Sequence, residues 1–374
     1  MASLPPVSTS APKYLDVADT LEAEVQKGRW DGGKMPSVRW VARQFGVSAV
    51  TASRALQVLR DKGLVRTVER SGCFRVPPPS ADRWLLLLRT TGGPWQGASR
   101  AVARCGFEAL ARREPMHLEP DPFPLGPGLA PDDVLPQLRD AKDRGVKGVF
   151  LLPSRATDAD AATDEAVLAG CRAEGLPVVL LERNLRGADR PLAADLVALD
   201  DVDGAARCTR HLLDRGRTRV GMVVASPTSS HQDRVAGYLY ALHAAARETG
   251  GEFTPVVLHQ PDGLPAPAGY ARLADEVRKR GLDGVVCYAD YAAAGLIAEF
   301  QARGVAVPRD VAVAGFDDLP AGTPGVGVTT YAYPSAGMAE QAVRLMRERL
   351  ADPDRPPVKV LVPGRLIVRE STAG

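Results

Sequence analysis

The chain has 374 residues, 47 basic and 45 acidic side chains, a net charge of +2 and five cysteines. The cysteines are odd in number, widely spaced and without a Cys-x-x-Cys pair, which argues against a disulfide framework and against a zinc site. No apolar run approaches membrane-spanning length and residues 1–12 are polar, so we expect a cytoplasmic protein with neither a signal peptide nor a membrane segment.

The first predicted element is an amphipathic helix that ends at Gly28. Apolar side chains recur there at spacings of three and four residues, as one buried helix face requires. They are Tyr14, Val17, Ala18, Leu21 and Val25. We expect residues 1–12, and residues 371–374 at the other end of the chain, to be mobile tails.

Two short helices follow and are separated at Gly46. The first has Ser37 as its predicted N-cap and runs to Phe45. The second has Ser48 as its predicted N-cap and stops at Gly63. Apolar side chains spaced to meet between the helices are those of Val41, Phe45, Val47, Leu56 and Leu59. This pattern predicts a helix-turn-helix, whose second helix turns small or polar residues outward for a DNA major groove: Ala49, Thr51, Ser53 and Arg54.

A hairpin is predicted directly after the third helix. Residues 64–68 and 73–76 alternate like two strands, and the connection between them carries Arg70 near its tip. Three helices and a hairpin together predict a winged helix-turn-helix.

The distribution of charge agrees with DNA binding. Residues 1–80 contain twelve basic and seven acidic side chains, a net charge of +5, whereas the rest of the chain carries −3. An isolated charge run is usually a solvated surface. Here the positive charge coincides with the predicted groove-reading element, as attraction to phosphate requires.

Residues 14–76 resemble the DNA-binding domain of the GntR family of bacterial regulators. The matching residues are Gly28, Gly33, Pro36-Ser37-Val38-Arg39, Phe45-Gly46-Val47-Ser48, Thr51, Ala55-Leu56, Leu59, Gly63-Leu64-Val65 and Gly72-Cys73-Phe74. The resemblance implies contacts to DNA from Arg39, Ser48, Thr51 and the glycine of the wing. Ala49 and Ser53 stand where that family often has arginines, and Arg70 replaces a usual wing glycine. The predicted DNA-binding residues are Ser37, Arg39, Ser48, Ala49, Thr51, Ser53, Arg54, Arg70 and Gly72.

The sequence Pro-Pro-Pro-Ser at residues 77–80 reads as a stiff linker, because proline cannot continue a strand ladder. We therefore predict a tail at residues 1–12, a winged helix at 13–76, a linker at 77–81 and a larger domain at 82–370. Almost 300 residues are enough for one large or two medium cores.

The larger region alternates apolar runs with helical stretches, which predicts parallel α/β sheets. Predicted strands cover residues 84–88, 146–152, 177–181, 220–225, 284–288 and 311–315. Predicted helices cover residues 200–215, 234–247, 271–280, 291–303 and 335–350. No Gly-x-Gly-x-x-Gly motif opens any of these helices, so dinucleotide binding has little support.

This region resembles the sensor domain of the LacI/GalR family, which has the fold of periplasmic sugar-binding proteins. The resemblance rests on residues 177–183, His211-Leu212-Leu213 with Gly216-Arg217, Arg234-Val235-Ala236-Gly237-Tyr238, Asp290 with Ala293 and Gly295, Gly304 with residues 307–311, Gly315-Phe316-Asp317-Asp318, Val328-Thr329-Thr330 and residues 366–372. It implies two lobes, doubly wound parallel sheets and three crossings of the chain between the lobes. We expect residues 82–190 and 333–352 in lobe 1, and residues 191–318 and 355–370 in lobe 2. A GntR-like reader joined to a LacI-like sensor resembles the arrangement of arabinose-responsive repressors.

The same resemblance implies a ligand site between the lobes, lined by Trp95, Gln96, Glu182, Arg183, Arg234, Asp317 and Tyr333. Carboxylates and guanidinium groups suit paired sugar hydroxyls, and an indole face suits sugar C–H groups. Gly93, Leu152 and Ala289 occupy places where relatives often have asparagine, and Leu264 lies near a common aromatic position. Asp290 is expected to cap its helix rather than to contact ligand.

These observations favour a ligand-responsive repressor that binds a roughly palindromic duplex operator as a homodimer, with a sugar or sugar derivative in the cleft. A nucleoside or other non-sugar effector, or a sensor without ligand, is the alternative. A transport protein would need export and would not use a winged helix. A pyridoxal-phosphate enzyme would need a Schiff-base lysine, and no lysine context suggests one at Lys142, Lys147, Lys279 or Lys359, so we expect no enzymatic activity and no cofactor.

Overall fold

The structure is a computed structural model. It describes residues 12–26, 35–68, 72–75, 82–88, 96–119, 131–154, 158–185, 191–225, 228–260, 266–319 and 326–373. The chain divides into two compact units, Met1–Ala81 and Asp82–Gly374. Within the described ranges, no helix combines the length and the apolar character needed to cross a membrane.

The amino-terminal unit is the predicted winged helix-turn-helix. Its elements are α1 (Lys13–Gln26), α2 (Val38–Phe45), α3 (Ala49–Asp61), β1 (Val65–Val68) and β2 (Gly72–Arg75). The two strands are antiparallel, and Val68 pairs with Gly72. Val17, Leu21, Val41, Leu56 and Leu59 are buried between the helices. The predicted end of α1 at Gly28 lies outside the described residues.

Local chemistry sets the ends of the two helices in this unit. The Ser37 hydroxyl accepts a hydrogen bond from the backbone N–H of Trp40, and the Ser48 hydroxyl accepts one from Thr51. Both serines are the predicted N-caps. Gly46 ends α2 in the left-handed conformation, with φ 61° and ψ 36°, and its N–H donates to the carbonyl of Ala42. Glycine adopts this conformation without the steric cost of a Cβ atom.

The carboxyl-terminal unit contains two six-stranded sheets. The first has the order β13-β7-β6-β5-β3-β4 and the second the order β14-β12-β11-β10-β8-β9. All neighbouring strands are parallel except β12 and β14. The strands are β3 (Asp82–Leu88), β4 (Met116–Glu119), β5 (Val146–Leu152), β6 (Val178–Leu181), β7 (Asp195–Leu199), β8 (Val220–Val224), β9 (Val257–His259), β10 (Gly284–Cys287), β11 (Ala312–Asp317), β12 (Thr329–Ala332), β13 (Lys359–Val362) and β14 (Arg365–Ile367).

Helices cover both faces of each sheet, which explains the continuous apolar runs of the central strands. The helices are α4 (Gln96–Ala111), α5 (Pro131–Asp143), α6 (Asp158–Glu174), α7 (Asp201–Asp214), α8 (Ser229–Thr249), α9 (Ala266–Lys279), α10 (Asp290–Ala302) and α11 (Ser335–Ala351). On the first sheet, α4 and α11 pack against one face and α5 and α6 against the other. On the second, α7 and α8 oppose α9 and α10. The six predicted strands and five predicted helices of this region are confirmed.

The chain crosses between the lobes three times, as predicted. The crossings lie between β7 and α7, between β12 and α11, and between β13 and β14. The strands β6 and β11, on opposite sides of these crossings, therefore direct their carboxyl ends toward the region between the lobes.

The predicted lobe boundaries are wrong for two strands. Residues 191–199 and 355–362 were expected in lobe 2, but β7 pairs with β6 and β13 pairs with β7, which places both strands in the first sheet. The buried carboxylate of Asp195 stabilises this arrangement, because it accepts hydrogen bonds from Arg349, Arg355 and the N–H of Val358. The residues in contact are distant in sequence, so no local sequence pattern predicts these hydrogen bonds.

The expectation of a mobile tail from residue 371 is also wrong for its first residues. Ser371 and Thr372 are buried. The Ser371 hydroxyl donates to the carbonyl of Val313 at 2.6 Å, and the Thr372 hydroxyl lies 2.7 Å from that of Thr329. The segment thus fills hydrogen-bonding positions on the second sheet that would otherwise be buried without partners.

Candidate functional site

One face of α3 is open to solvent. Ser48, Ala49, Ser53 and Arg54 are exposed, and Thr51 is half-buried. The opposite face packs into the core through Ala52, Ala55, Leu56 and Leu59. The exposed residues are those that the sequence assigned to the DNA-reading face, and they lie on one side of the helix.

The two predicted arginines of this unit have different surroundings. Arg39 lies exposed near the start of α2, next to the exposed cap residue Ser37. The guanidinium of Arg54 lies over the ring of Tyr14 on α1, with its carbon 5.4 Å from the ring centroid. This cation–π contact orients Arg54 without neutralising its charge.

Val50 is a candidate that the sequence analysis missed. It is 72% exposed at the start of α3, a larger exposed fraction than that of Tyr240 or Val368. Helical spacing places it on the same face as Ser53 and Arg54. An apolar side chain at that position suits contact with a thymine methyl group. The signal was available, because Val50 lies between two residues already assigned to the reading face.

In the wing, Gly72 begins β2 and pairs with Val68 at the end of the hairpin. Arg70 lies outside the described residues, and so does the turn that carries it.

A second group of polar side chains lies at the carboxyl ends of strands from both sheets. Glu182 and Arg183 directly follow β6, and Asp317 is the last residue of β11. Tyr333 follows β12 at the second crossing, and Arg234 lies in the second turn of α8. We call the group formed by these five residues and Asp201 the cleft cluster.

Arg234 is the best-connected member of the cleft cluster. It is 7% exposed, and its Nε lies 2.7 Å from Oδ1 of Asp201. A second guanidinium nitrogen lies 3.8 Å from Oδ1 of Asp317, and another donates to the carbonyl of Tyr288. The guanidinium carbon is 4.1 Å from the ring centroid of Phe316. Arg234 therefore joins α7, α8, β10 and β11 at one point.

The first lobe contributes a carboxylate–guanidinium pair of its own. Glu182 Oε2 lies 2.5 Å from a guanidinium nitrogen of the buried Arg183, which also donates to the carbonyl of Pro153 at 2.8 Å. The pair is thus fixed to the ends of β5 and β6.

Burial and neighbouring charges raise the pKa values of two members of the cleft cluster. The pKa of Tyr333 lies well above its usual value, first because of burial and then because of the nearby carboxylates of Glu182 and Asp317. Burial also raises the pKa of Asp201 to about 6, although Arg234 opposes the shift. Desolvation is thus stronger here than pairing with a single guanidinium.

Among the residues that the structure describes, three that are not glycine have positive φ angles, and all three lie at this end of the sheets. They are Glu182 (φ 64°), Asp317 (φ 95°) and Asp318 (φ 54°). Such conformations cost of order 1–3 kcal/mol each and concentrate at functional sites.

The structure brings together Glu182, Arg183, Arg234, Asp317 and Tyr333 of the predicted ligand residues. Trp95 lies outside the described residues, and only the backbone of Gln96, at the start of α4, is described. Asp201 was missed, because its proximity to Arg234 depends on how α7 packs on α8.

Aromatic side chains of the second lobe form another group that was missed. The Tyr288 hydroxyl donates to Gln260 Oε1 at 2.6 Å, and the His231 ring centroid lies 5.0 Å from that of Tyr288. Gln260 and Tyr288 follow β9 and β10 directly. A search for polar residues at the ends of predicted strands would have included Tyr288.

The expected capping role of Asp290 is wrong. The N-cap of α10 is Ala289, with no side-chain cap, and the Asp290 carboxylate instead accepts a hydrogen bond from the N–H of Leu319 at 2.8 Å. The turn after β11 lies close enough for its backbone to donate a hydrogen bond to this carboxylate.

Metal binding has no support in the part of the chain that the structure describes, where no three histidine, cysteine or acidic side chains are grouped to hold an ion. The five cysteines are free thiols.

Comparisons with known proteins match both units. Residues 13–74 match the family of bacterial regulatory proteins, gntR family, and residues 209–372 match the periplasmic binding protein-like domain. An uncharacterized HTH-type transcriptional regulator in the aml 5' region of Streptomyces limosus is 30% identical over 252 residues, which cover 66% of this chain and 67% of the relative.

Two further relatives have names of the same kind. MalR of Streptomyces coelicolor, an HTH-type transcriptional regulator, is 27% identical over 344 residues, or 89% of this chain and 95% of the relative. GalR of Salmonella typhimurium is 36% identical over 175 residues, so the match spans 45% of this chain and 47% of GalR.

Solved structures share the fold. The complex of the transcriptional regulator CelR with cellobiose aligns with a TM-score of 0.59 at 21% identity, covering 90% of this chain and all of CelR. A LacI-family regulator from Sanguibacter keddieii aligns with a TM-score of 0.57 at 27% identity, covering 79% of this chain and 99% of that protein.

Proposed function

Because this chain belongs to the HTH-type transcriptional regulators and joins a gntR-family helix-turn-helix to a periplasmic-binding-protein-like sensor domain, we propose that it is a repressor controlled by a small sugar-like ligand. The ligand would bind between the lobes at the cleft cluster. The observation that carries the proposal is the coexistence, in one chain, of an exposed reading face on α3 and a polar cluster drawn from both sheets.

The DNA-binding half of the proposal is supported by shape and charge. The exposed face of α3 carries short polar side chains and an arginine, and the net charge of +5 lies in the same segment. A helix of this kind can approach base edges, while surrounding cations bind phosphate. We propose that two copies bind as a homodimer, because a two-fold dimer reads an approximately palindromic operator.

The ligand-binding half is supported by the chemistry of the cleft cluster. Carboxylates and guanidinium groups bind adjacent hydroxyl groups in a fork, and their own ion pairs hold them in place before ligand arrives. CelR has been solved with cellobiose, and a LacI-family regulator from Enterococcus faecium with ribose. These sugars are therefore the first candidates to test.

Ligand and operator would be coupled through the lobes. A ligand shifts an equilibrium only by its different affinities for two states, so we propose that the open and closed lobes favour different spacings of the two winged helices.

The test begins with selection of an operator from a random duplex library by the full-length protein. A thermal-shift screen of monosaccharides, disaccharides and nucleosides then identifies the ligand, because a ligand at a hundred times its Kd adds about 2.7 kcal/mol to the free energy of unfolding. Finally, operator affinity is measured with and without that ligand.

We expect an operator with inverted half-sites, stabilisation by a sugar and an operator affinity that changes with the sugar. Failure to retain any duplex at low ionic strength would contradict the regulator. Stabilisation by nucleosides alone would mean that the ligand is a nucleoside and not a sugar. An operator affinity that no metabolite changes would indicate a sensor without ligand.

A further inference from the structure

The turn that follows β11 has a strained backbone. Asp317 and Asp318 are consecutive non-glycine residues with positive φ angles of 95° and 54°. The strain persists only where surrounding contacts hold it. Because Asp317 belongs to the cleft cluster, whatever holds this turn also sets the position of the Asp317 carboxylate.

Three side chains hold the turn. Asp290 Oδ2 accepts the N–H of Leu319 at 2.8 Å, and Thr330 Oγ1 accepts the N–H of Asp318 at 3.2 Å. Arg369 donates to Asp318 Oδ1 at 2.5 Å. Asp290 and Thr330 are both buried, and Asp290 is the one that holds the far end of the turn, at Leu319.

The site is shaped to admit the Asp290 side chain. It lies against Gly315 of β11, where an added Cβ atom would stand 2.3 Å from Asp290 Oδ1. A side chain at residue 315 would therefore displace the carboxyl group from the turn. The Asp290 carboxyl group can occupy this position because residue 315 is a glycine.

The charged and titratable groups around Asp290 come from several elements. Asp317 and Asp318 of the β11 turn are the nearby carboxylates, Thr330 is on β12, and the buried thiols of Cys208 and Cys287 are on α7 and β10. Burial, followed by the charge of Asp317, raises the pKa of Asp290 to about 8, against the opposing hydrogen bonds of Thr330 and Leu319. Burial thus favours the neutral form of this carboxyl group.

We propose that Asp290 is a positioning residue of the ligand site: it fixes the strained turn that directs Asp317 into the cleft, without contacting ligand itself. The inference rests on the proposed function only in treating Asp317 as a ligand residue. The clamp on the turn can be tested without any ligand.

The first test is hydrogen exchange in the full chain for wild type, Asp290→Asn, Asp290→Ala and the control Asp283→Ala. Asp283 lies just before β10 as Asp290 lies just after it, and it also accepts backbone N–H groups, those of Thr218 and Arg219. We expect peptides containing Leu319 to exchange about tenfold faster in Asp290→Ala only, because the buried N–H loses its acceptor.

Asp290→Asn keeps an oxygen that accepts from Leu319, so its exchange should stay close to that of wild type, and this variant also serves if Asp290→Ala does not fold. Unchanged exchange in Asp290→Ala, or an equal effect of Asp283→Ala on the same peptides, would overturn the clamp. If Asp290→Asn exchanged as fast as Asp290→Ala, that result would also overturn the clamp.

The second test measures cellobiose binding by calorimetry below and above pH 8. Ionisation of Asp290 places a negative charge beside Asp317, and repulsion between the two carboxylates should displace the turn. The affinity of wild type for cellobiose should therefore fall about tenfold as the pH rises past 8. The affinity of Asp290→Asn should show no such fall. Equal pH profiles would overturn the positioning role. Wild-type protein that binds no sugar at all would contradict the proposed function, while the exchange rates would still decide the clamp.

Discussion

Arginine side chains in this chain occupy three kinds of environment, and their contributions to free energy differ accordingly. Arg39 is exposed on α2. Arg303 forms surface pairs with Glu299 and Asp275, of a type worth about 0–1 kcal/mol. Arg234 is buried against Asp201, where both charges have lost their water. The same residue type thus occurs as an exposed cation, as a member of surface ion pairs and as a buried structural contact.

Arg39→Ala and Arg54→Ala should each weaken binding to the selected operator by about 1 to 3 kcal/mol, because each removes a cation from the proposed reading surface. The measurement is a gel-shift titration at fixed salt. Arg247→Ala removes the same charge from an exposed position in the other unit and should leave the affinity unchanged. Equal losses in all three variants would mean that only total charge matters.

Arg234→Ala should lower the free energy of unfolding by about 3–5 kcal/mol, because it leaves the buried Asp201 carboxylate without its partner. The double variant Arg234→Met with Asp201→Asn should recover most of this loss, since it removes both charges, but it should not recover sugar binding. Urea unfolding and calorimetry measure the two effects. Arg303→Ala, the surface control, should cost less than about 1 kcal/mol.

At the scale of elements, close helix packing depends on particular glycines. Helices α7 and α8 cross at Gly237, where an added Cβ atom would lie 2.1 Å from the carbonyl oxygen of Val202. This contact allows the start of α7, with Asp201, to approach Arg234. In contrast, Gly269 in α9 has no atom of the described residues within 4 Å of the position of its absent Cβ atom.

These two glycines predict opposite effects of the same substitution. Gly237→Ala should destabilise the sensor unit by about 1–3 kcal/mol or more, because the backbone of α7 must move away. Gly269→Ala should stabilise it by about 0.5–1 kcal/mol, since alanine loses less conformational entropy in a helix. Thermal unfolding of the full chain measures both. A destabilising Gly269→Ala would contradict this view of helix packing.

At the scale of the whole sensor unit, the lobes are joined by three crossings and by direct contacts. The N–H of Asn184 in the first lobe donates to the Ser229 hydroxyl at 3.1 Å, and Lys359 Nζ lies 2.7 Å from Asp233 Oδ2. Contacts of this kind are individually weak, so they would not prevent the lobe movement proposed above. A ligand that contacts the cleft cluster from both sides can therefore change the balance between lobe arrangements.

If ligand and operator are coupled, their effects must be reciprocal. The factor by which the identified sugar changes operator affinity should equal the factor by which operator changes sugar affinity. Titration calorimetry of the sugar, with and without operator, tests the equality. Asp317→Asn alters the cleft cluster, which belongs to the carboxyl-terminal unit and not to the winged helix. It should weaken sugar binding and leave the operator affinity of the ligand-free protein unchanged.

Elements whose signals are local could be predicted from the order of residues. Ser37, Gly46 and Ser48 mark the ends of α2 and α3 through contacts within four residues, and apolar runs such as residues 146–152 predict buried parallel strands. The resemblance of the sequence to the LacI/GalR sensor domain also indicated Glu182, Arg183, Arg234, Asp317 and Tyr333 as candidates for a ligand site.

Tertiary structure alone decided which distant residues became partners. Asp201 reached Arg234 through helix packing, Asp195 held β7 and β13 in the first sheet, and the Asp290 carboxylate bonded the β11 turn instead of capping α10. Each of these carboxylates is buried, and a buried charge or N–H must find a partner wherever the fold supplies one. Such pairing depends on distance in space, which the order of residues along the chain does not record.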